Sequence, residues 1–81
     1  MVTTNTTQDR VIHLISGICR IPHSSIHPFT SLKDDLYLDT IDMLLLIAAI
    51  ENDFNVYLTE EEANSIETVR DASYYIQHHA A

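Results

Sequence analysis

The chain predicts an all-α fold: four helices, a long loop between the first and second, and a short third helix. Three observations predict it. Apolar residues recur at helical spacing, and one Gly and two Pro are too few for a turn-rich β fold. Thr and Asp residues also stand where helix caps belong, ahead of the apolar or acidic runs. Eighty-one residues fit one domain, expected to span 1–81, with a core too small for redundancy. A hydrophobic content of 46% is that of a globular chain, not a disordered one.

The first helix is expected to start after Thr6 or Thr7, with Asp9 in its first turn. Val11, Leu14, Ile15 and Ile18 then follow at i, i+3, i+4 and i+7, one amphipathic stripe. It must end before Pro22, since proline disfavours helix at the residue preceding it. Residues 20–38, with two prolines and scattered Ser and His, read as a long loop. A structureless loop of that length tends to be functional.

Asp39 caps the second helix, which is expected to run to about Phe54, and Asp42 stands at capping-box spacing from it. Met43, Leu46, Ile47, Ile50 and Phe54 fall on one face, the core side. Ile41, Leu45 and Ala48 fall nearly opposite. A helix apolar on two sides is either buried twice or docks a partner. Thr59-Glu60-Glu61-Glu62 opens the third helix with a Thr-x-x-Glu box. Thr68-Val69-Arg70-Asp71 opens the fourth, turning Val69, Ala72, Ser73 and Ile76 to the core. Val56-Tyr57-Leu58 is the longest strand-like pattern.

Net charge is -8 and unevenly placed: from Asp34 to Val69 there are ten carboxylates and no Lys or Arg. Such a field repels nucleic acid and anionic membranes and attracts basic protein surfaces. The longest apolar run, Met43–Ile50, is too short to span a bilayer. Residues 1–7 have neither the basic nor the apolar region of a signal peptide, so a soluble cytoplasmic domain is expected. Cys19 is alone, so no internal disulfide forms; on the first helix's apolar side it is expected to be a buried packing residue. His23 and His27 lie in the loop without supporting Cys, and His78 and His79 sit at a fraying end, so no metal site is expected. The acidic loop lacks the order of a calcium loop, and no catalytic constellation is present. The chain does not read as an enzyme.

The run Asp34-Asp35-Leu36-Tyr37-Leu38-Asp39-Thr40-Ile41-Asp42 closely resembles the modification motif of acyl carrier proteins, Asp-Ser-Leu-(Asp/Glu) at its core. Leu32-Lys33-Asp34-Asp35-Leu36 is similar to that family's approach to the motif. Ile50-Glu51-Asn52-Asp53-Phe54 resembles its second-helix end, and Leu58–Ala63 with Ile66–Val69 resembles its third helix and the start of its fourth. The alignment needs no gap from Leu32 to Ile76. The resemblance implies an acyl-carrier-like four-helix bundle. It implies a 4'-phosphopantetheine arm, moved from coenzyme A onto Thr40 by a phosphopantetheinyl transferase, whose thiol carries acyl intermediates as thioesters in fatty acid or polyketide type biosynthesis. It also implies docking of synthase enzymes with basic surfaces through Asp39, Ile41, Asp42, Leu45, Ala48 and Glu51.

Three residues depart from the family's pattern. Thr40 stands for the usual Ser, adding a methyl on the reacting carbon and stiffening χ1. Tyr37 stands for the usual Gly; a bulky ring disfavours positive φ, so a loop tyrosine half-buried against the core is expected. Leu45 stands for the usual Glu, which points to a more hydrophobic contact that extends to a lasting heterodimer. Two readings stay open: a carrier modified at Thr40, or an arm-less carrier-like module that binds and stabilises a synthase partner. Carriers of aminoacyl groups share the fold and motif and form a third.

Overall fold

The computed structural model describes residues 6–79; residues 1–5, most of the segment read above for a leader, lie outside the described residues. Four helices follow one another: α1 (Thr7–Cys19), α2 (Thr40–Phe54), α3 (Glu60–Ser65) and α4 (Val69–His79). No strand occurs among the described residues. The fold is the all-α bundle that the sequence predicts, with its short third helix.

Each helix starts on a side chain that satisfies N–H groups the helix itself leaves free. The Thr6 hydroxyl accepts from the Asp9 N–H at 3.0 Å. Asp39 accepts from the Asp42 N–H at 2.8 Å and Asp42 returns the bond at 3.2 Å, so aspartate completes the box despite its short side chain. Thr59 and Glu62 exchange the same pair at 3.1 and 3.0 Å. At α4, Thr68 accepts from the Asp71 N–H at 3.2 Å and Asp71 accepts from the Thr68 N–H at 3.1 Å. α1 and α2 end on Arg20 and Asn55, both left-handed, at φ 58° and 56°.

α1 packs against both α2 and α4. Val11 and Ile15 of α1, Leu46 and Ile50 of α2, and Val69, Ala72 and Ile76 of α4 are fully enclosed in one cluster. Leu14, Ile18, Met43, Ile47 and Phe54 flank it, partly buried, as their helical spacing requires. At the α1–α2 edge the Arg10 guanidinium lies 4.1 Å over the Phe54 ring and meets Asp53 at 3.0 Å.

α3 differs from the others, burying no residue of its own. It is held by its flanks, Leu58 and Ile66, both buried. Glu62 and His79 also meet across it at 2.7 Å. His79 therefore does not fray as expected; it ties the end of α4 to α3.

One further expectation is corrected. The 20–38 loop is not structureless: it contains a 3₁₀ turn at His23–Ser25 and is stitched to the α3–α4 junction. The Leu32 N–H donates to the Glu67 carbonyl and the Arg70 N–H to the Pro28 carbonyl, both at 2.9 Å, and Ser31 bridges to Thr68. Leu32, Ile26 and Leu38 anchor it in the core. In keeping with the all-α reading, Val56-Tyr57-Leu58 forms no strand; it is a connection whose Leu58 N–H is taken by the Glu51 carboxylate at 2.8 Å.

Glu62 makes the attachment of α3 sensitive to acid. The Thr59 backbone N–H, and after it the His79 ring, hold its carboxyl below its ordinary value of 4.5. A depressed folded value means stability that is complete above the ordinary value and lost as pH falls through the folded one. Melting followed by circular dichroism from about pH 6 to 3 should therefore show a steeper acid decline for the wild type than for Glu62→Gln. Parallel profiles would remove Glu62 as a source of acid sensitivity.

Candidate functional site

Thr40 is the first residue of α2 and is exposed, and its hydroxyl is hydrogen-bonded to no described residue. Asp39 and Asp42 are bound to each other's backbone, which fixes their carboxylates on either side of it. The Asp42 N–H is thereby used, while those of Thr40 and Ile41 find no partner among the described residues. A free hydroxyl thus sits at the positive end of a fifteen-residue helix, next to unpaired N–H donors that favour an anion.

Beside Thr40 opens a cleft of about 360 Å³ between the end of the 20–38 loop, α2 and α3. Leu38, Met43, Ala63 and Ile66 line it with apolar surface, and Lys33, Asp39 and Asn64 with polar groups. The hydroxyl, the free donors and the cleft suit a group esterified to Thr40 by a phosphate. Thr40 is on the surface and carries a methyl on the carbon that bears the oxygen.

The outer face of α2 carries Ile41, Leu44 and Leu45, which are 66%, 65% and 55% exposed, with Ala48 also exposed. Leu44 belongs to this face although the sequence reading left it out. The run 41, 44, 45, 48 repeats at i, i+3, i+4, i+7, a signal hidden by continuous apolar sequence. Glu51, expected on the same surface, is instead half-buried and spends its carboxylate on the α2–α3 connection.

Tyr37 corrects the expectation most sharply. It adopts φ 58° with its ring 82% exposed, neither packed on the core nor covering the helix start. The backbone there must turn from Leu36 into buried Leu38, whose N–H donates to the Leu32 carbonyl at 3.0 Å. Closure of that turn outweighs the cost of a left-handed tyrosine.

The remaining candidates do not form a centre. Cys19 is half-buried against the core, and burial, then the charge of Asp42, push its thiol above the ordinary cysteine value. It is no ready thiolate nucleophile. His23 stacks on His13 at 4.2 Å between ring centroids, a pairing that no short-range pattern announced. Among the described residues no three His, Cys, Asp or Glu groups converge as metal ligands, and no helix is long and apolar enough to cross a membrane.

The family model for the phosphopantetheine attachment site matches residues 9–76, which take in α2 and α3 whole, most of α1 and α4, and Thr40.

Tyr37 offers a direct test of the turn ahead of the site. A left-handed non-glycine residue costs about 1–2 kcal/mol, while glycine loses about 0.5–1 kcal/mol more conformational freedom on folding. With no ring contacts to lose, Tyr37→Gly should stabilise the domain by about 0.5–1 kcal/mol in urea unfolding. A destabilised variant would mean that the exposed ring contributes packing.

Proposed function

This chain belongs to the phosphopantetheine attachment family, so its role is that of a non-catalytic carrier, and we propose that Thr40 is the residue that bears the 4'-phosphopantetheine arm. Carrier domains of the family work with transferases and synthases. The observation that carries the assignment is the unengaged Thr40 hydroxyl at the capped start of α2, opening on a cleft. In this reading the Thr40 oxygen forms the new bond to phosphorus, giving its proton to a base of the transferase while adenosine 3',5'-bisphosphate leaves from coenzyme A. Asp39 and Asp42 hold the helix start rigid and present charge to the transferase. When attached, the arm supplies a thiol that holds acyl groups as thioesters. The cargo proposed is an acyl intermediate of fatty acid or polyketide type assembly, handled in the cytoplasm, for which the lone Cys19 and the acidic surface are suited.

Intact mass after co-expression with a broad-specificity phosphopantetheinyl transferase tests Thr40. A gain of one phosphopantetheine, abolished in Thr40→Ala, is expected. If several transferases leave the chain unmodified while Thr40→Ser is loaded readily, the threonine has closed the site and the arm-less module takes its place.

The exposed Ile41, Leu44, Leu45 and Ala48 support docking of a partner through α2, with Asp39 and Asp42 meeting its basic groups. The leucine in place of the family's usual Glu supports a tight and exclusive contact, extending to a lasting heterodimer. Burial of one leucine contributes about 1.5–3 kcal/mol. Leu45→Glu should therefore weaken binding to the native partner about tenfold to a hundredfold by calorimetry, with the melting temperature of the free domain little changed. A large drop in melting temperature with unaltered binding would return Leu45 to the core.

A further inference from the structure

Lys33 is the single cation between Arg20 and Arg70. It sits in an otherwise acidic stretch, next to Asp34 and Asp35, yet no carboxylate among the described residues lies within ion-pairing distance of it. Three of the nearby carboxylates are engaged with backbone N–H groups. Asp35 accepts from the Ser31 N–H at 2.8 Å, and Asp39 and Asp42 accept from each other's backbone. Meanwhile Lys33 lines the same cleft as Thr40, with Asn64 of α3 also lining it. The chain therefore brings its only local positive charge, unpaired, to the one place where the attachment reading puts a new anion.

The need for such a charge follows from the surroundings. A phosphodiester on Thr40 adds a permanent negative charge between two carboxylates, and the helix N-terminus offsets that only in part. A flexible ammonium group is suited to follow the phosphate as a point charge without demanding one geometry. Asn64 adds amide donors and an acceptor to the cleft wall, matching the amide groups along a pantetheine chain.

We propose that Lys33 is the counter-ion of the arm's phosphodiester and holds the base of the arm against the cleft between the loop, α2 and α3. This rests on the reading that residue 40 carries the arm. Lys33 acts as a positioning residue: it makes no bond and moves no proton, but it biases the arm toward Asn64 and away from the outer face of α2. The outer face is thereby left open for a partner while the arm is parked.

The test is a thermodynamic cycle on the loaded and unloaded protein, with Thr40→Ser as a second background so that loading does not depend on the threonine. The change in melting temperature caused by the arm is compared in chains with Lys33, Lys33→Gln and Lys33→Arg. The arm should destabilise Lys33→Gln by about 1–5 °C more than the Lys33 protein. Lys33→Arg should behave as Lys33, and the difference should close at 1 M NaCl. The phosphorus resonance of the arm should shift in Lys33→Gln, and nuclear Overhauser contacts between the pantetheine chain and Asn64 should be lost. Arg70→Gln, which removes an equal charge away from the cleft, should show no coupling to the arm. Equal arm effects with and without Lys33, or an Arg70→Gln coupling as large, would overturn the counter-ion role while leaving attachment intact. Loading of Thr40→Ser alone would end the threonine assignment, and the cycle would then be read in that background. If neither form can be loaded, both proposals fall.

Discussion

The burial of Val11 and Ile15 on α1 is the constraint on which the other elements depend. α1 alone packs on both α2 and α4, and its two enclosed side chains share one cluster with Leu46, Ile50, Val69, Ala72 and Ile76. A chain of this length has no second core to fall back on. That cluster sets the rotation of α2 about its axis. Once Leu46 and Ile50 point inward, Ile41, Leu44, Leu45 and Ala48 are compelled outward, whatever water costs them. The exposed apolar face is thus a geometric consequence of the core.

The site lies where the firmly packed part of the bundle meets its least anchored element. α2 is fixed by its core face and by a reciprocal aspartate cap, so the position of Thr40 is determined to within a helical turn. Across the cleft, α3 buries nothing itself and relies on Leu58, Ile66, its own Thr59–Glu62 box and one contact to His79. Segments with few buried contacts open at low free energy. The cleft beside Thr40 thus has one firmly packed wall and one weakly held wall.

Charge is distributed in the same spirit. Arg10 is committed to Asp53 and Phe54, and Arg70 lies 5.4 Å over Phe29, so two of the four Lys and Arg residues serve packing contacts. The ten carboxylates from Asp34 to Val69 are left with little internal compensation, which keeps a strong negative field around α2 and α3. The carboxylates nearest the site are held by backbone bonds and not by cations, so they keep their charge available to a basic surface.

The sequence by itself determined the number of helices, where each begins, which residues of the first, second and fourth helices face the core, and the family. These depend on short-range physics: capping residues act within three positions, and helical periodicity is read within a few turns. Asp39, Thr59 and Thr68 announced their helices, and the Asp39-Thr40-Ile41-Asp42 motif needed no fold to be recognised. The tertiary structure decided what depends on contacts between distant backbone groups, which leave no trace in side-chain pattern. The bonds from Leu32 to Glu67 and from Arg70 to Pro28 ordered a loop that read as structureless. Closing that loop placed Tyr37 in a left-handed turn against its own preference. Glu62 and His79 are seventeen positions apart, and only the fold brings them together. Lys33 reads as an isolated cation in an acidic run until the fold sets it beside Thr40.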